Sequence, residues 1–217
     1  MRKRAIVLLV AAGLVVSVRG QNFTNLNFES AYNLPGNPSN GVPVSVANAL
    51  PGWIAYGNGV ALSSIYYVSN FLGAAANVEL ESGSLALSGN NLSVGLYAYS
   101  SISQTGMVPN NAESLEFEGA VPLASGFSVT LGGQTLSLST ISNGSDYNEY
   151  GANIPSSMDG NLEELIFSCE GVGSGGVLLD DIEFMPVPEP SEFALLGVGA
   201  VALFTFRRRR SSPLTLT

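Results

Sequence analysis

Ser114-Leu115-Glu116-Phe117-Glu118 alternates strictly between apolar and acidic side chains. A period of two is the period of a β-strand, so Leu115 and Phe117 point inward and the glutamates outward. The same pattern recurs on both sides of this stretch. Phe127, Val129 and Leu131 form a second apolar face, closed by the turn signal Gly132-Gly133. Leu136 and Leu138 lead back from that turn. Leu92, Val94 and Leu96 predict a strand whose other face carries Tyr97 and Tyr99. Leu165 and Phe167 alternate with Glu164 and Ile166, and Val177 to Phe184 closes the series. No long segment shows the 3.6-residue period of a helix. Short strands divided by Gly, Asn, Pro and Ser predict an all-β domain, an antiparallel sandwich or barrel. A parallel α/β sheet is disfavoured because the crossover helices are missing.

Charge is distributed as unevenly as hydropathy. All eight basic residues lie at the ends: Arg2, Lys3, Arg4 and Arg19, then Arg207 to Arg210. Between Gln21 and Ser191 there are sixteen of the seventeen acids and no Lys, Arg or His, a formal charge of −16. Nucleic-acid binding, which needs cations to displace phosphate counterions, is excluded for this stretch. So are acid–base or nucleophilic chemistry through His or Lys, and zinc sites of His or paired Cys, since Cys169 is the only thiol. Carboxylate pairs and oxygen-bound metals remain.

The ends read as addresses. Residues 1–20 have a basic start, an apolar run from Ala5 to Val16 and a small-residue exit at Val18 and Gly20. That is the layout of a secretory signal peptide, its apolar run forming a helix. At the other end Pro188-Glu189-Pro190 excludes helix, Phe193 to Phe206 is uninterrupted apolar sequence, and four arginines follow. The apolar run would span about 21 Å as a helix, against a hydrocarbon core of roughly 30 Å. It predicts a short transmembrane helix with the arginines on the cytoplasmic side and the domain outside.

This order of Pro-Glu-Pro, apolar helix and arginine cluster resembles the PEP-CTERM sorting signal, whose carriers are exported and handled by a membrane exosortase. Such proteins occur in bacteria that make exopolysaccharide or biofilm matrix. The resemblance gives sorting roles to Pro188, Glu189, Pro190, Arg207, Arg208, Arg209 and Arg210. The organisation is then a leader (1–20), a sandwich domain (21–185), a sorting signal (186–210) and a tail (211–217).

Within the domain, Asn27-Phe28-Glu29-Ser30, Leu50-Pro51-Gly52-Trp53, Ser103-Gln104-Thr105 and Leu178 to Phe184 resemble patches of jelly-roll carbohydrate-binding modules and their galactose-binding-like relatives. The resemblance implies a jelly roll with its first and last strands side by side. Counted by parity, Asp180 falls on the side of Leu178, Ile182 and Phe184, and hence toward the core. A buried carboxylate is costly without a cation, and the domain has none. A structural calcium would satisfy it, and in the related modules such an ion joins the first strand to the last, which implies Glu29 with Asp180 or Asp181. The alternative is an Asp that is solvated or capped by backbone amides.

Sugar sites stack aromatic faces on pyranose rings, which makes Tyr97, Tyr99, Tyr147 and Tyr150 candidates, with Tyr66 and Tyr67 behind them. Trp53 reads as core. A glycosidase would need two carboxylates across a cleft, and Asp146 with Glu149 or Glu163 with Glu164 are the nameable pairs. Cys169 reads as a small buried strand residue. The expectation is a non-catalytic, exported surface or matrix protein, partnered by an exosortase, the membrane and polysaccharide.

Overall fold

A computed structural model describes residues 22–36, 38, 40–69, 77–87, 91–119, 126–170 and 176–186. The predicted leader, the apolar helix and the arginine block lie outside these residues. The described chain is all-β. The strands are β1 (Val42–Ser45), β2 (Ile54–Gly57), β3 (Val60–Ala61), β4 (Ser64–Val68), β5 (Val78–Ser82), β6 (Leu92–Leu96) and β7 (Ser100–Met107). They continue with β8 (Ala112–Gly119), β9 (Phe127–Leu131), β10 (Gln134–Thr135), β11 (Ser139–Asn143), β12 (Asn148–Asn153), β13 (Leu162–Cys169) and β14 (Val177–Pro186). Among the described residues, α-helix is confined to one turn, α1 (Val46–Ala49).

Two sheets form the sandwich. One has eight strands in the order β1-β4-β5-β6-β14-β8-β12-β11, the other six in the order β10-β9-β13-β7-β2-β3. Their ladders are antiparallel except for β4 with β5, which run parallel and so depart from the expected all-antiparallel pairing. The alternating stretch that predicted the fold is the middle of β8. Leu115 and Phe117 are buried in the core, where Phe117 stacks on Tyr150 (centroids 5.6 Å apart) and meets Phe167 edge-on at 5.4 Å. Offset and edge-to-face pairs add to the roughly 1.5–3 kcal/mol gained by burying each ring. The Gly132-Gly133 turn joins β9 to β10 with both glycines at positive φ, 56° and 75°, where a Cβ would be strained. Trp53 is core, as its context implied, and its indole Nε1–H donates to the Asn25 carbonyl at 3.0 Å.

The first and last strands do not lie side by side, although the resemblance implied that they would: β1 is the edge of its sheet, with three strands between it and β14. Only the N-terminal stretch ahead of β1 reaches the last strand. It does so as a turn and not as a paired strand: Ile182 N donates to the Leu26 carbonyl, and Phe23 stacks on Phe184. The parity count through β14 is corrected by a bulge. Asp181 adopts φ 40°, and the register to β8 shifts between Asp180 and Glu183. Leu179 therefore faces the core with Val94, Asp180 faces outward opposite Glu118, and Ile182 returns to the core one residue out of step.

Candidate functional site

Two features of the outer surface concentrate chemistry. The first is the turn from β6 to β7. Strand β6 ends at Leu96, so Tyr97 and Tyr99 belong to the turn and not to the strand face expected for them. Three consecutive carbonyls of this turn are held. Tyr97 O accepts from Ser100 Oγ (2.5 Å), Ala98 O from Asn77 Nδ2 (3.2 Å) and Tyr99 O from Asn58 N (2.7 Å). Tyr99 itself sits at φ 57° and is half exposed. It lines an open pocket of about 460 Å³ with Asn58, Gly59, Ser100, Ser101, Ser168 and Glu170. A fixed aromatic ring beside amide, hydroxyl and carboxylate groups is the composition that packs on a sugar ring and reads its hydroxyls.

The second is the outer face of the eight-stranded sheet. Register places Glu81 opposite Ser93, Asp180 opposite Glu118, and Glu118 opposite Glu149. Ser93 Oγ donates to Asp180 Oδ2 at 2.8 Å, which joins these pairs into one row across five strands. Beside it, Glu183 faces Glu116. Like charges directly opposed across strands are destabilising, and this face has three such pairs with no cation in the domain. Burial raises the Glu118 carboxyl above its ordinary range, a hydrogen bond from Tyr147 opposes that, and Asp181, Glu149 and Glu183 add to it. The Glu118 carboxylate in turn raises the Tyr147 hydroxyl.

The residues named for calcium are near one another in the fold but are not one cluster. Glu29 uses its carboxylate on backbone: Asn91 N and Leu92 N donate to Oε1 at 2.8 and 2.9 Å. Asp180 is fully buried and accepts from Ser93 Oγ and Asp181 N. Asp181 lines the acidic face with Glu116, Glu118, Glu149 and Glu183. Among the described residues, no group of three or more His, Cys, Asp or Glu is placed to hold a metal ion.

The four tyrosines named for sugar are likewise dispersed. Tyr150 is buried in the core, Tyr97 is buried on the outer face, Tyr147 lies over Glu118, and Tyr99 stands in its pocket. Glu163 and Glu164 are adjacent on β13 and so point to opposite faces. Asp146 is exposed in a turn, and Glu149 accepts from Ser142 Oγ on the acidic face. Cys169 is buried at the end of β13.

Sequence reasoning missed Glu79 and Glu81. Val-Glu-Leu-Glu-Ser reads as a strand with its acids in water, yet all five residues of β5 are buried. Burial raises both carboxyls to about 7; the charge of Glu81 adds to the effect at Glu79, and Tyr97 opposes it at both. The one available signal was the lack of any Lys, Arg or His to neutralise them.

Comparison with known proteins reaches the other end of the chain. A family profile described as the PEP-CTERM protein-sorting motif matches residues 186–210. No curated protein matches the chain. The matched span contains Pro188, Glu189, Pro190 and Arg207 to Arg210. The chain thus carries the signal of an exosortase substrate, exported and sorted to the cell surface or membrane. Among the described residues no helix is long and apolar enough to cross a membrane.

Proposed function

We propose that this exosortase-sorted protein displays a non-catalytic sandwich that contacts surface or matrix polysaccharide through the Tyr99 pocket. The observation that carries the reading is the pinned turn: three held carbonyls present one exposed ring above polar side chains. A ring fixed before binding gives up little conformational freedom when a sugar stacks on it. Glu170 is the single carboxylate lining this pocket among the described residues, whereas glycoside hydrolysis uses a facing pair.

The test is retention of the full chain on exopolysaccharide extracted from the producing cells. Saturable retention that Tyr99→Ala abolishes and Tyr147→Ala leaves intact is the expected result. Retention indifferent to Tyr99→Ala would end the assignment of the pocket. The dispersal of Tyr97, Tyr147 and Tyr150 favours a second reading, a structural surface component without a specific ligand, and no retention of the wild-type chain would leave that reading in place.

A further inference from the structure

We propose that Glu79 and Glu81 form a binding site for a hard divalent cation of calcium's size, beneath the turn that carries Tyr99. The proposal is independent of polysaccharide binding. Both glutamates project from β5 onto the outer face, two residues apart, and their exposures are 0% and 1%. Their carboxylates converge. Gly95 is the register partner of Glu79, yet a Cβ on Gly95 would press on Glu81 Oε1. Glu81 therefore leans back along the sheet toward Glu79, over the gap left by the missing side chain.

Tyr97 covers the same spot. Its hydroxyl donates to Glu81 Oε1 at 2.9 Å. It also holds the Glu79 carboxyl down somewhat, while neither Glu79 oxygen has a hydrogen-bond partner among the described residues. A buried carboxylate with both oxygens unpartnered is among the most expensive groups a fold can hold.

The surrounding elements offer no positive charge. From β4 the register partners are Tyr66 and Val68, from β6 Ser93 and Gly95, and the next carboxylate along the row is Asp180 of β14. Between Gly20 and Phe206 the chain has no Lys, Arg or His. Neutralisation must come from protons or from a bound ion. The donor set is oxygen only: two carboxylates and a phenol, completed by water. Calcium takes six to eight oxygens in flexible geometry and suits it; zinc, which favours nitrogen and sulfur, does not.

The experiment is calorimetric titration of the chelator-treated full chain with Ca²⁺ alone, paired with thermal melts at pH 8. One saturable site is expected, with a Kd on the order of 0.1–1 mM and a Tm that rises with Ca²⁺. Glu79→Gln with Glu81→Gln removes the buried charge at nearly constant shape, so that variant should melt higher than wild type in chelator and lose the Ca²⁺ response. Should the pair of substitutions impair folding, Glu81→Asp withdraws one ligand by a methylene and should weaken binding about tenfold or more. A folded wild-type chain without saturable Ca²⁺ binding overturns the proposal and leaves protons as the neutralising charge. Binding that survives Glu79→Gln/Glu81→Gln but is lost with Glu118→Gln/Glu149→Gln overturns it equally, by placing the ion on the half-buried acids of the recess.

Discussion

The outer face of the eight-stranded sheet has two halves with the same chemistry and opposite surroundings. On β5 and β6, Glu79 and Glu81 are buried with Tyr97 over them. On β8, β12 and β14, Glu116, Glu118, Glu149, Asp181 and Glu183 line a shallow open recess of about 150 Å³. In the recess, water reaches the carboxylates and weakens the repulsion between opposed pairs, although half-buried Glu118 is still raised by burial. Under cover, the same charge meets a low dielectric and must be cancelled. Covering, and not composition, decides whether an acid here is a solvated surface group or a site.

The inner face beneath both halves sets the scale. Phe117 is 1% exposed and contacts Tyr150, Phe127 and Phe167. Phe117→Ala should cost about 3–5 kcal/mol in a denaturant melt. A loss near zero would mean that the two sheets are not packed through these rings.

The next effect separates the halves by pH. Glu79 and Glu81 have folded-state values of about 7 against an ordinary 4.5. Between those values the folded chain holds more protons than the unfolded chain, so stability is fully present below about pH 4.5 and is lost as pH rises through about 7. In chelator, Tm should fall by about 5 °C or more from pH 5 to pH 8, and Glu79→Gln/Glu81→Gln should flatten that slope. A slope unchanged in this variant would assign the titration to other carboxyls.

The smallest effect belongs to the open half. Glu149→Gln relieves a repulsion across the strands from Glu118 and weakens the hydrogen bond from Ser142, which then reaches a neutral amide oxygen. The two oppose each other, and the net change should stay within about 0.5 kcal/mol and shrink further in salt. A change as large as that at Glu79 and Glu81 would erase the distinction between the halves.

Much of the fold was legible because strands facing one core must alternate. Leu115 with Phe117, Val129 with Leu131, and Leu165 with Phe167 were placed inward from spacing alone, and all are buried. Alternation fails where the backbone inserts a residue. The bulge at Asp181 changed the side that Asp180 faces, and one dimension does not reveal a bulge without a glycine to mark it. The site was less legible. Tyr99 was named, but its partners Asn58 and Glu170 come from a different hairpin and a different strand end. Glu79 and Glu81 alternate with Val78 and Leu80, a pattern that by itself matches an ordinary solvent face, and only the tyrosine packed over them distinguishes them.

The address and the class of fold follow from local order along the chain: Pro-Glu-Pro, apolar run and arginines at one end, and a period of two through the middle. Both are readable because each depends on neighbours along the chain. The tertiary structure alone decided which acids lie under cover, which tyrosine stands in a pocket and which way Asp180 points. Each of these is set by strands and turns that meet across the sheets, and the free energy of a charge depends on what surrounds it in space.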